Sequence, residues 1–255
     1  MIRVSRDSPA GHAYLDLQNR ARREKRTTQE LLTMYVVERW LARLARSPYA
    51  QDFVLKGGML LAAFGHRRPT ADADTLARNM AADEETAAGR VAEIARIPDP
   101  DDGVVFQPHT MTATRIRDEA LYSGIRVTLP ARLATAQVKL RFDINFGDPV
   151  TPQPQHVVLP SLRDSLSPVR ILGYPIETVL AEKLVTAIDL GAANTRVRDY
   201  VDVYVLSDAH SLRCAALRTA LIATATCISR PCRTPLHSSG LSVPRPTAPT
   251  SPIWG

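Results

Sequence analysis

The sequence predicts an α/β (α+β) fold in which a mixed sheet is followed by a helical C-terminal region. Three segments carry this prediction. Residues 12–46 place apolar side chains at helical spacing. Residues 53–148 contain several short runs in which apolar and polar residues alternate, as they do in strands with one buried face. Residues 175–206 return to helical spacing, so the strands lie between two helical regions.

Composition excludes several classes of protein. The chain has 255 residues, of which 45% are hydrophobic and 23% are charged, so it is too apolar for a disordered protein and long enough to bury a core. It has no uninterrupted apolar stretch of about 18 residues, so we predict no membrane partner. The N-terminus lacks an apolar signal segment, and Cys214, Cys227 and Cys232 lack the spacing of a zinc site. We therefore expect a reduced, cytoplasmic protein.

The first 46 residues predict two helices, and Thr27 or Thr28 is suited to cap the second. Five cations crowd into seven positions around the predicted break: Arg20, Arg22, Arg23, Lys25 and Arg26. Arg39, Arg43 and Arg46 lie off the apolar face of the second helix. The net charge of +6 permits a nucleic-acid partner without requiring one. These arginines are either a solvated helix surface or a basic stripe for the phosphate backbone of RNA, and both interpretations stay open.

Short strands and one helix make up the central segment. The apolar run at 53–55, which leads into two glycines, predicts a short strand, and alternation predicts strands at 70–76, 123–129 and 138–146. The Ala- and Glu-rich residues 80–97 predict a crossover helix, and residues 99–103 have the composition of a turn. Four prolines then indicate a linker: Pro149, Pro152, Pro154 and Pro160. Helices are predicted at 177–190 and 197–206, and the acid-free, Pro- and Arg-rich residues 211–255 predict a partly disordered tail.

Lys56, Gly57 and Gly58 stand between a predicted strand and a predicted helix. Glycines allow positive φ and let the backbone approach a ligand closely, and a helix N-terminus favours anions. The Walker A pattern is missing, so the segment is not a P-loop. A Gly-Gly pair is more often a simple turn than a phosphate cradle, and by itself this signal is weak.

Three aspartates could form a metal site. Asp72 and Asp74 project from the same face of a strand because they are two residues apart. Their mutual repulsion would be relieved by a divalent cation such as Mg²⁺. In the strand at 138–146, Asp143 lies on the polar face, and Asp148 is a weaker candidate. Three carboxylates on neighbouring strands can hold two metal ions for phosphoryl or nucleotidyl transfer, whereas an isolated D-x-D is usually a surface turn.

The C-terminal helices add a second charged cluster. Lys183 falls on the apolar side of its predicted helix, three residues after Leu180, where an ordinary solvated lysine is not expected. In the next helix, Asp199 and Asp202 are three residues apart and so lie on neighbouring positions of one face. A helix-surface salt bridge is the plain alternative for this second group. None of the six histidines has metal-ligand spacing, and His66 near the D-x-D motif is expected to be structural.

In type and order, these residues resemble the nucleotidyltransferase superfamily with the DNA polymerase β-like fold. That fold carries Gly-Gly or Gly-Ser at the start of a helix, then D-x-D on a strand and a third Asp on a neighbouring strand. Two C-terminal motifs narrow the resemblance to the AbiEii/AbiGii nucleotidyltransferase toxins: E-x-x-L-A-E-K-L-x-x-A at 177–187 and R-D-Y-x-D at 198–202. The segments V-L-K-G-G at 54–58 and R-P-T-A-D-A-D at 68–74 also resemble that family, so the similarity covers about residues 30–206.

The resemblance implies a toxin of a toxin–antitoxin or phage-defence operon that is neutralised by a cognate antitoxin. Some relatives, mycobacterial members among them, add nucleotides to the 3′ acceptor end of tRNA and so halt translation. The resemblance implies a nucleotidyltransferase core with N-terminal helices at 1–165 and a helical C-terminal region at 166–210. The tail predicted from composition at 211–255 departs from the helical ending of that family. It also implies an NTP substrate, Mg²⁺ and an RNA acceptor. A protein or small-molecule acceptor, or an inactive member that binds NTP or antitoxin, remains the alternative.

Roles follow from the same resemblance for individual residues. The triphosphate would lie at Lys56, Gly57, Gly58 and Thr70, and Lys183 would contact the nucleotide phosphates. Asp72 and Asp74 would bind Mg²⁺, and Asp143 would join them by analogy with the superfamily. Asp202, with Asp199, would serve as a base or would orient Lys183, and both roles stay open. The basic residues Arg20, Arg22, Arg23, Arg26 and Arg39 would receive the RNA backbone.

Overall fold

The computed structural model describes residues 4–70, 72–117 and 123–229, and every structural statement below refers to those residues. They form an eight-stranded sheet and seven α-helices. The strands are β1 Phe53–Lys56, β2 Asp72–Ala77, β3 Val104–Phe106, β4 Thr112–Arg117, β5 Ser123–Leu133, β6 Ala136–Phe146, β7 Gln155–Leu159 and β8 Val169–Gly173. The helices are α1 Pro9–Glu24, α2 Thr28–Arg46, α3 Gly57–Leu60, α4 Glu84–Ala95, α5 Ile176–Leu190, α6 Val197–Ala209 and α7 Cys214–Ser229.

Strand order places the D-x-D motif in the middle of the sheet. The order is β3-β5-β6-β2-β1-β8-β7, and β4 also pairs with β5. β1 runs parallel to β8 and β2 runs parallel to β6, whereas the other pairs are antiparallel. The predicted mixed sheet is therefore confirmed, with β2 between β1 and β6.

The two N-terminal helices begin at side-chain caps. The Ser8 hydroxyl accepts a hydrogen bond from the Gly11 N–H at the start of α1. At the start of α2 the Thr27 hydroxyl accepts from the Glu30 N–H, which confirms the predicted cap. α1 ends at Lys25, whose left-handed backbone (φ 53°) turns the chain into α2.

Helix α2 supplies much of the core. The Trp40 ring lies 4.3 Å from the Phe142 ring of β6, and its indole N–H donates to the Val91 carbonyl of α4. The alternation predicted for β6 is confirmed, because Val138, Leu140, Phe142 and Ile144 are all buried. The intervening side chains of β6 therefore project from the opposite, polar face of the sheet.

Two arginines of α2 are buried, which corrects the prediction that they lie on an exposed face. Arg39 and Arg43 are each 3% exposed. Arg39 donates to Glu38 at 2.5 Å, and Arg43 donates to Asp102 at 2.5 Å. The turn around Asp102 and the Leu162 backbone, which donates to Glu38, both pack on this side of the helix. The helical pattern alone could not show that distant loops cover a second face of α2.

The predicted linker at 149–160 contains a strand, so that prediction is wrong. β7 occupies Gln155–Leu159 and pairs with β8 at the edge of the sheet. Prolines flank β7, and proline is tolerated there because it removes no ladder hydrogen bond from the strand itself. β8 pairs with β1, so the core sheet continues past residue 165.

Helices α5, α6 and α7 follow the sheet. The predicted helices at 177–190 and 197–206 match α5 and α6, and Gly191 ends α5 as expected. α7 lies within the segment predicted as a tail and buries Ala220 and Thr224. The rest of that segment, including Cys232, lies outside the described residues. Within the described chain, no helix combines the length and the apolar character needed to cross a membrane.

Candidate active site

Four charged residues stand in one row across the sheet. Lys56 of β1 is opposite Asp74 of β2, Asp74 is opposite Asp143 of β6, and Asp143 is opposite Arg126 of β5. Residues that face each other on neighbouring strands project to the same side, and Asp72 joins them because it is two residues from Asp74. The prediction that the three aspartates share one face is confirmed. A cation flanks the aspartates at each end of the row.

Gly57 gives the Asp74 carboxylate its space. Its φ is +65°, and a Cβ at this position would lie 1.8 Å from Asp74 Oδ2. A Cβ on Gly58 would lie 2.8 Å from the Thr70 hydroxyl. The double glycine thus lets the backbone pass close to the side chains of β2 and of the loop before it. The α-helix that starts here has four residues, so the anion-attracting dipole expected from the sequence is small.

Both aspartates of the D-x-D motif are held in an environment that disfavours their charge. Burial raises the pKa of Asp74 to about 6, the Lys56 ammonium opposes that rise, and the Asp143, Asp72 and Glu182 carboxylates add to it. Burial and the Asp143 carboxylate raise the pKa of Asp72.

Asp72 has one carboxylate oxygen that could bind a metal ion. Asp72 Oδ1 is buried without a hydrogen-bond partner among the described residues, and Arg141 Nη1 lies 4.0 Å from it. A bound cation would reduce the repulsion between the carboxylates, and it would also give Asp72 Oδ1 a partner. Mg²⁺ is commonly bound by one or two carboxylates together with substrate phosphates. Asp72 and Asp74 fit that mode.

Asp143 is engaged elsewhere. Arg126 donates to both of its carboxylate oxygens, at 2.7 and 2.6 Å. Within the described chain, no group of three His, Cys, Asp or Glu side chains is placed to hold a metal ion. The predicted three-carboxylate cluster is therefore not assembled, because a bidentate arginine occupies the third member.

Lys56 is buried in an ion network with residues that the sequence reasoning did not connect to it. Its Nζ donates to Asp148 at 2.6 Å and to Glu182 of α5 at 2.9 Å. Burial lowers the pKa of Lys56, but the Glu182 and Asp148 carboxylates outweigh burial and raise it above its ordinary value. The Tyr174 hydroxyl also donates to Asp148, at 3.0 Å. The contact between Lys56 and a triphosphate stays a prediction, and the Lys56 ammonium already donates hydrogen bonds to two protein carboxylates.

A second charged cluster forms where α5, α6 and the loop before β2 meet. Lys183 Nζ donates to Asp199 at 2.5 Å and to Asp202 at 2.7 Å. The Asp202 carboxylate, 1% exposed, also contacts His66 Nε2 at 3.1 Å and accepts from Arg68 Nε at 3.1 Å. The expected proximity of Lys183 to both aspartates is confirmed. His66 and Arg68 were missed as members of this cluster, although both precede the D-x-D motif by a few residues.

The two clusters are neighbours. Glu182, which contacts Lys56, precedes Lys183 along α5, and its electrostatics are influenced by both lysines. Residues 66–70 also connect the two clusters. Arg68 contacts Asp202 of the second cluster, and Thr70 lies against Gly58 beside the carboxylate cluster.

The arginines predicted to bind RNA are in different situations. Arg20 donates to Glu24 and to the Leu162 carbonyl, and Arg26 contacts Glu24 and Glu30. Arg22 and Arg23 are exposed, whereas Arg39 is buried and is not available at the surface. A cleft of about 600 Å³ lies between α1 and the loop after β7, and Arg20 and Arg23 line it with Asp16, Glu24 and Arg163. The cleft shares no lining residue with the carboxylate site.

Comparison with protein families identifies the family of this chain. The model of the nucleotidyl transferase AbiEii toxin of type IV toxin–antitoxin systems matches residues 39–249. The chain belongs to this family. Membership makes it a nucleotidyltransferase of the toxin class, with a nucleotide substrate and an antitoxin as its counterpart. The match extends into the segment predicted as a tail. None of the curated proteins matches the sequence.

Two solved structures are similar to this chain. MenT4, a nucleotidyltransferase toxin of Mycobacterium tuberculosis, superposes with a TM-score of 0.55 and 16% identity, over 84% of this chain and 68% of that one. JHP933 from Helicobacter pylori gives a TM-score of 0.48 and 18% identity, over 71% of this chain and 67% of that one. The similarity to MenT4 shows a shared fold.

Proposed function

We propose that this AbiEii-family protein transfers a nucleoside monophosphate from an NTP to the 3′ end of an RNA, in a Mg²⁺-dependent reaction in the cytoplasm. The terminal hydroxyl of the RNA would form a bond to the α-phosphorus of the NTP, and pyrophosphate would leave. The acceptor end of tRNA is the proposed target, and its modification would block translation. The observation that carries the proposal is the pair of neighbouring clusters, one of carboxylates and one built around Lys183. The charge of a bound triphosphate is commonly neutralised by a metal ion together with a basic side chain. The carboxylate cluster would hold the metal ion, and the second cluster supplies Lys183.

The carboxylate pair would be the metal site. When bound, Mg²⁺ would neutralise the phosphate charge and activate the attacking hydroxyl of the RNA. Asp72 and Asp74 are suited to hold it because Asp72 has a buried oxygen without a hydrogen-bond partner among the described residues, and because both pKa values are raised. Asp143 would become available only if Arg126 moved from it.

Lys183 would contact the phosphates of the nucleotide. Its ammonium has three donors, and Asp199 and Asp202 account for two of them. Asp202 is held by His66 and Arg68 as well, so its carboxylate is fixed from three sides. We therefore assign to Asp202 the orientation of Lys183, rather than the role of a base.

Transfer of labelled nucleotide to tRNA tests the proposal. The wild-type protein is incubated with Mg²⁺, total tRNA and each α-labelled NTP in turn, beside the variants Asp72→Asn and Lys183→Ala. We expect label on RNA with the wild type, and a loss of at least about 100-fold in both variants, the scale seen when a group that stabilises the transition state is removed. Asp189→Asn, at an exposed position on α5, is the matched control and should retain activity.

Other outcomes would point to other functions. Label on protein or on a small molecule would contradict the RNA acceptor while keeping nucleotidyl transfer. A folded protein that binds Mg²⁺-NTP but transfers nothing would be a binding module, and the proposal would be wrong. Equal activity in wild type and Asp72→Asn would exclude the assigned metal site.

A further inference from the structure

The polar face of β5 and β6 carries an excess of positive charge beside the carboxylate pair. Its eight positions run from Arg126 to Arg132 on β5 and from Gln137 to Asp143 on β6, taking alternate residues. They comprise four cations, Arg126, Arg132, Lys139 and Arg141, one carboxylate, Asp143, and the uncharged Thr128, Pro130 and Gln137. The one carboxylate is bound by Arg126.

Three of these cations form a line that leads away from the active site. Arg141 is opposite Asp72 in the parallel pairing of β2 and β6. Lys139 follows two residues along β6, and Arg132 of β5 is opposite Gln137, two residues further. Each two-residue step along a strand is about 7 Å. We refer to Arg141, Lys139 and Arg132 as the β5–β6 track.

The track is exposed and little neutralised. All three side chains are exposed, and Arg141 makes only a 4.0 Å contact with Asp72. Within the described parts of the chain, the side chains of Lys139 and Arg132 have neither a hydrogen-bond partner nor an ion-pair partner. Cations that serve the fold are usually paired, as Arg39 and Arg43 are here.

From this placement we propose that the β5–β6 track binds the phosphate backbone of the acceptor RNA and guides its 3′ end to Asp72 and Asp74. The inference rests on the proposed function for the identity of the acceptor. RNA fits better than an acidic protein because Pro130 is the one apolar residue among the eight positions, which include no aromatic residue and no Leu, Ile, Val or Met that could anchor a protein interface. A row of cations without such anchors is the pattern of backbone binding.

Binding of a fluorescein-labelled tRNA, measured by anisotropy without NTP or Mg²⁺, tests the proposal apart from catalysis. The variant Arg132→Glu/Lys139→Glu should lose about tenfold or more in affinity at low salt. The slope of log K against log salt should become shallower by about 1.4 to 1.8, which corresponds to two lost phosphate contacts. The milder Arg132→Gln/Lys139→Gln variant, checked for folding by circular dichroism, should show a smaller loss in the same direction.

Arg96→Glu/Arg170→Glu is the matched control, since it makes the same charge change at two exposed arginines outside the track, one just after α4 and one on β8. Its tRNA affinity should stay within about twofold of wild type, because a phosphate contact contributes only where it is made. Arg22→Glu/Arg23→Glu tests the competing prediction from the sequence: if it loses affinity and the track variants do not, the RNA lies on α1 and the proposal is wrong. If polyglutamate binds through the track while the track variants retain tRNA affinity, the surface fits an acidic protein and the proposal is likewise overturned. A wild type that binds tRNA through the track but transfers no nucleotide would refute the proposed function alone.

Discussion

At the scale of single residues, the site depends on contacts that leave no room for substitution. Gly57 lies so close to Asp74 that any side chain at 57 would displace the carboxylate. The two carboxylate oxygens of Asp202 are contacted by Lys183, Arg68 and His66, and the residue is almost fully buried. In both cases the residue type is determined by neighbouring side chains rather than by secondary structure.

Activity should fall at acid pH with a midpoint near pH 6, because Asp74 becomes protonated there. Burial raises the pKa of Asp74 to about 6, and the protonated carboxyl cannot bind a cation. Activity should therefore rise with pH through about 6, and more Mg²⁺ should move the midpoint to lower pH because metal and proton compete. The initial rate of nucleotide transfer, measured against pH at two Mg²⁺ concentrations, checks this. A midpoint near 4 that ignores Mg²⁺ would contradict it.

Through the same Asp74 carboxyl, the free energy of unfolding should change with pH in the direction opposite to activity. The unfolded Asp74 loses its proton near pH 4, whereas the native one keeps it to about 6, so the native state binds more protons between these values. The free energy of unfolding should then fall as pH rises from about 4 to about 6. Urea unfolding of Asp74→Asn serves as the control, since that part of the pH dependence should disappear.

At the scale of elements, the Lys56 network joins the sheet to the C-terminal helices. Lys56 ends β1, Asp148 follows β6 and Glu182 lies on α5, so one ammonium links three elements. Burial is the first cause of the raised pKa of Glu182, and Lys56 opposes it. The network thus holds α5 against β1, next to the site.

Replacing Lys56 by methionine should destabilise the protein strongly. The buried Asp148 and the partly buried Glu182 would lose their counterion, and breaking a buried pair in this way costs about 3–5 kcal/mol. The triple variant Lys56→Met/Asp148→Asn/Glu182→Gln should recover much of that loss, because no buried charge is left unpaired. Urea unfolding at pH 7 measures both.

Lys139→Met makes the same change at an exposed strand position and should alter the free energy of unfolding by no more than about 0.5 kcal/mol. If Lys56→Met is as mild as this control, the network contributes little to stability and the interpretation is wrong.

At the scale of the whole molecule, Asp202 connects the helical region to the loop that precedes the D-x-D strand. His66 and Arg68 reach across from the sheet side, and Lys183 and Asp199 come from α5 and α6. The candidate active site is therefore shared by both parts of the fold, and its assembly depends on how they dock.

Asp202→Ala should loosen this docking without unfolding the sheet. Lys183 and Arg68 would each lose a carboxylate partner, so local opening of α6 and of residues 65–70 should cost less free energy. Hydrogen exchange followed by mass spectrometry should show faster exchange in α6 and in that loop, with β5 and β6 unchanged. Asp208→Ala, at an exposed position of the same helix, is the control and should leave the exchange pattern as it is. Uniformly faster exchange would mean that Asp202 supports the entire fold instead.

Much of the fold and part of the site could be predicted from local pattern. A short apolar run located β1, alternation located β2, β5 and β6, helical spacing located α2, α5 and α6, and composition located α4. The strands β3, β4, β7 and β8 were not predicted; β3, β7 and β8 have five residues or fewer, which is too few to show a clear period. For the site, spacing within one element placed Asp72 beside Asp74, and the motif resemblance brought Lys183 together with Asp199 and Asp202.

By itself, then, the sequence determined the elements that carry the charged residues and the face on which each one lies, because periodicity fixes direction within a strand or helix. Only the tertiary structure decided which charges meet. Arg126 takes Asp143 out of a three-carboxylate cluster, Glu182 and Asp148 hold Lys56, and Arg39 is buried by distant loops. The physical reason is that ion pairs form between residues far apart in the chain, and strand order and packing set those distances.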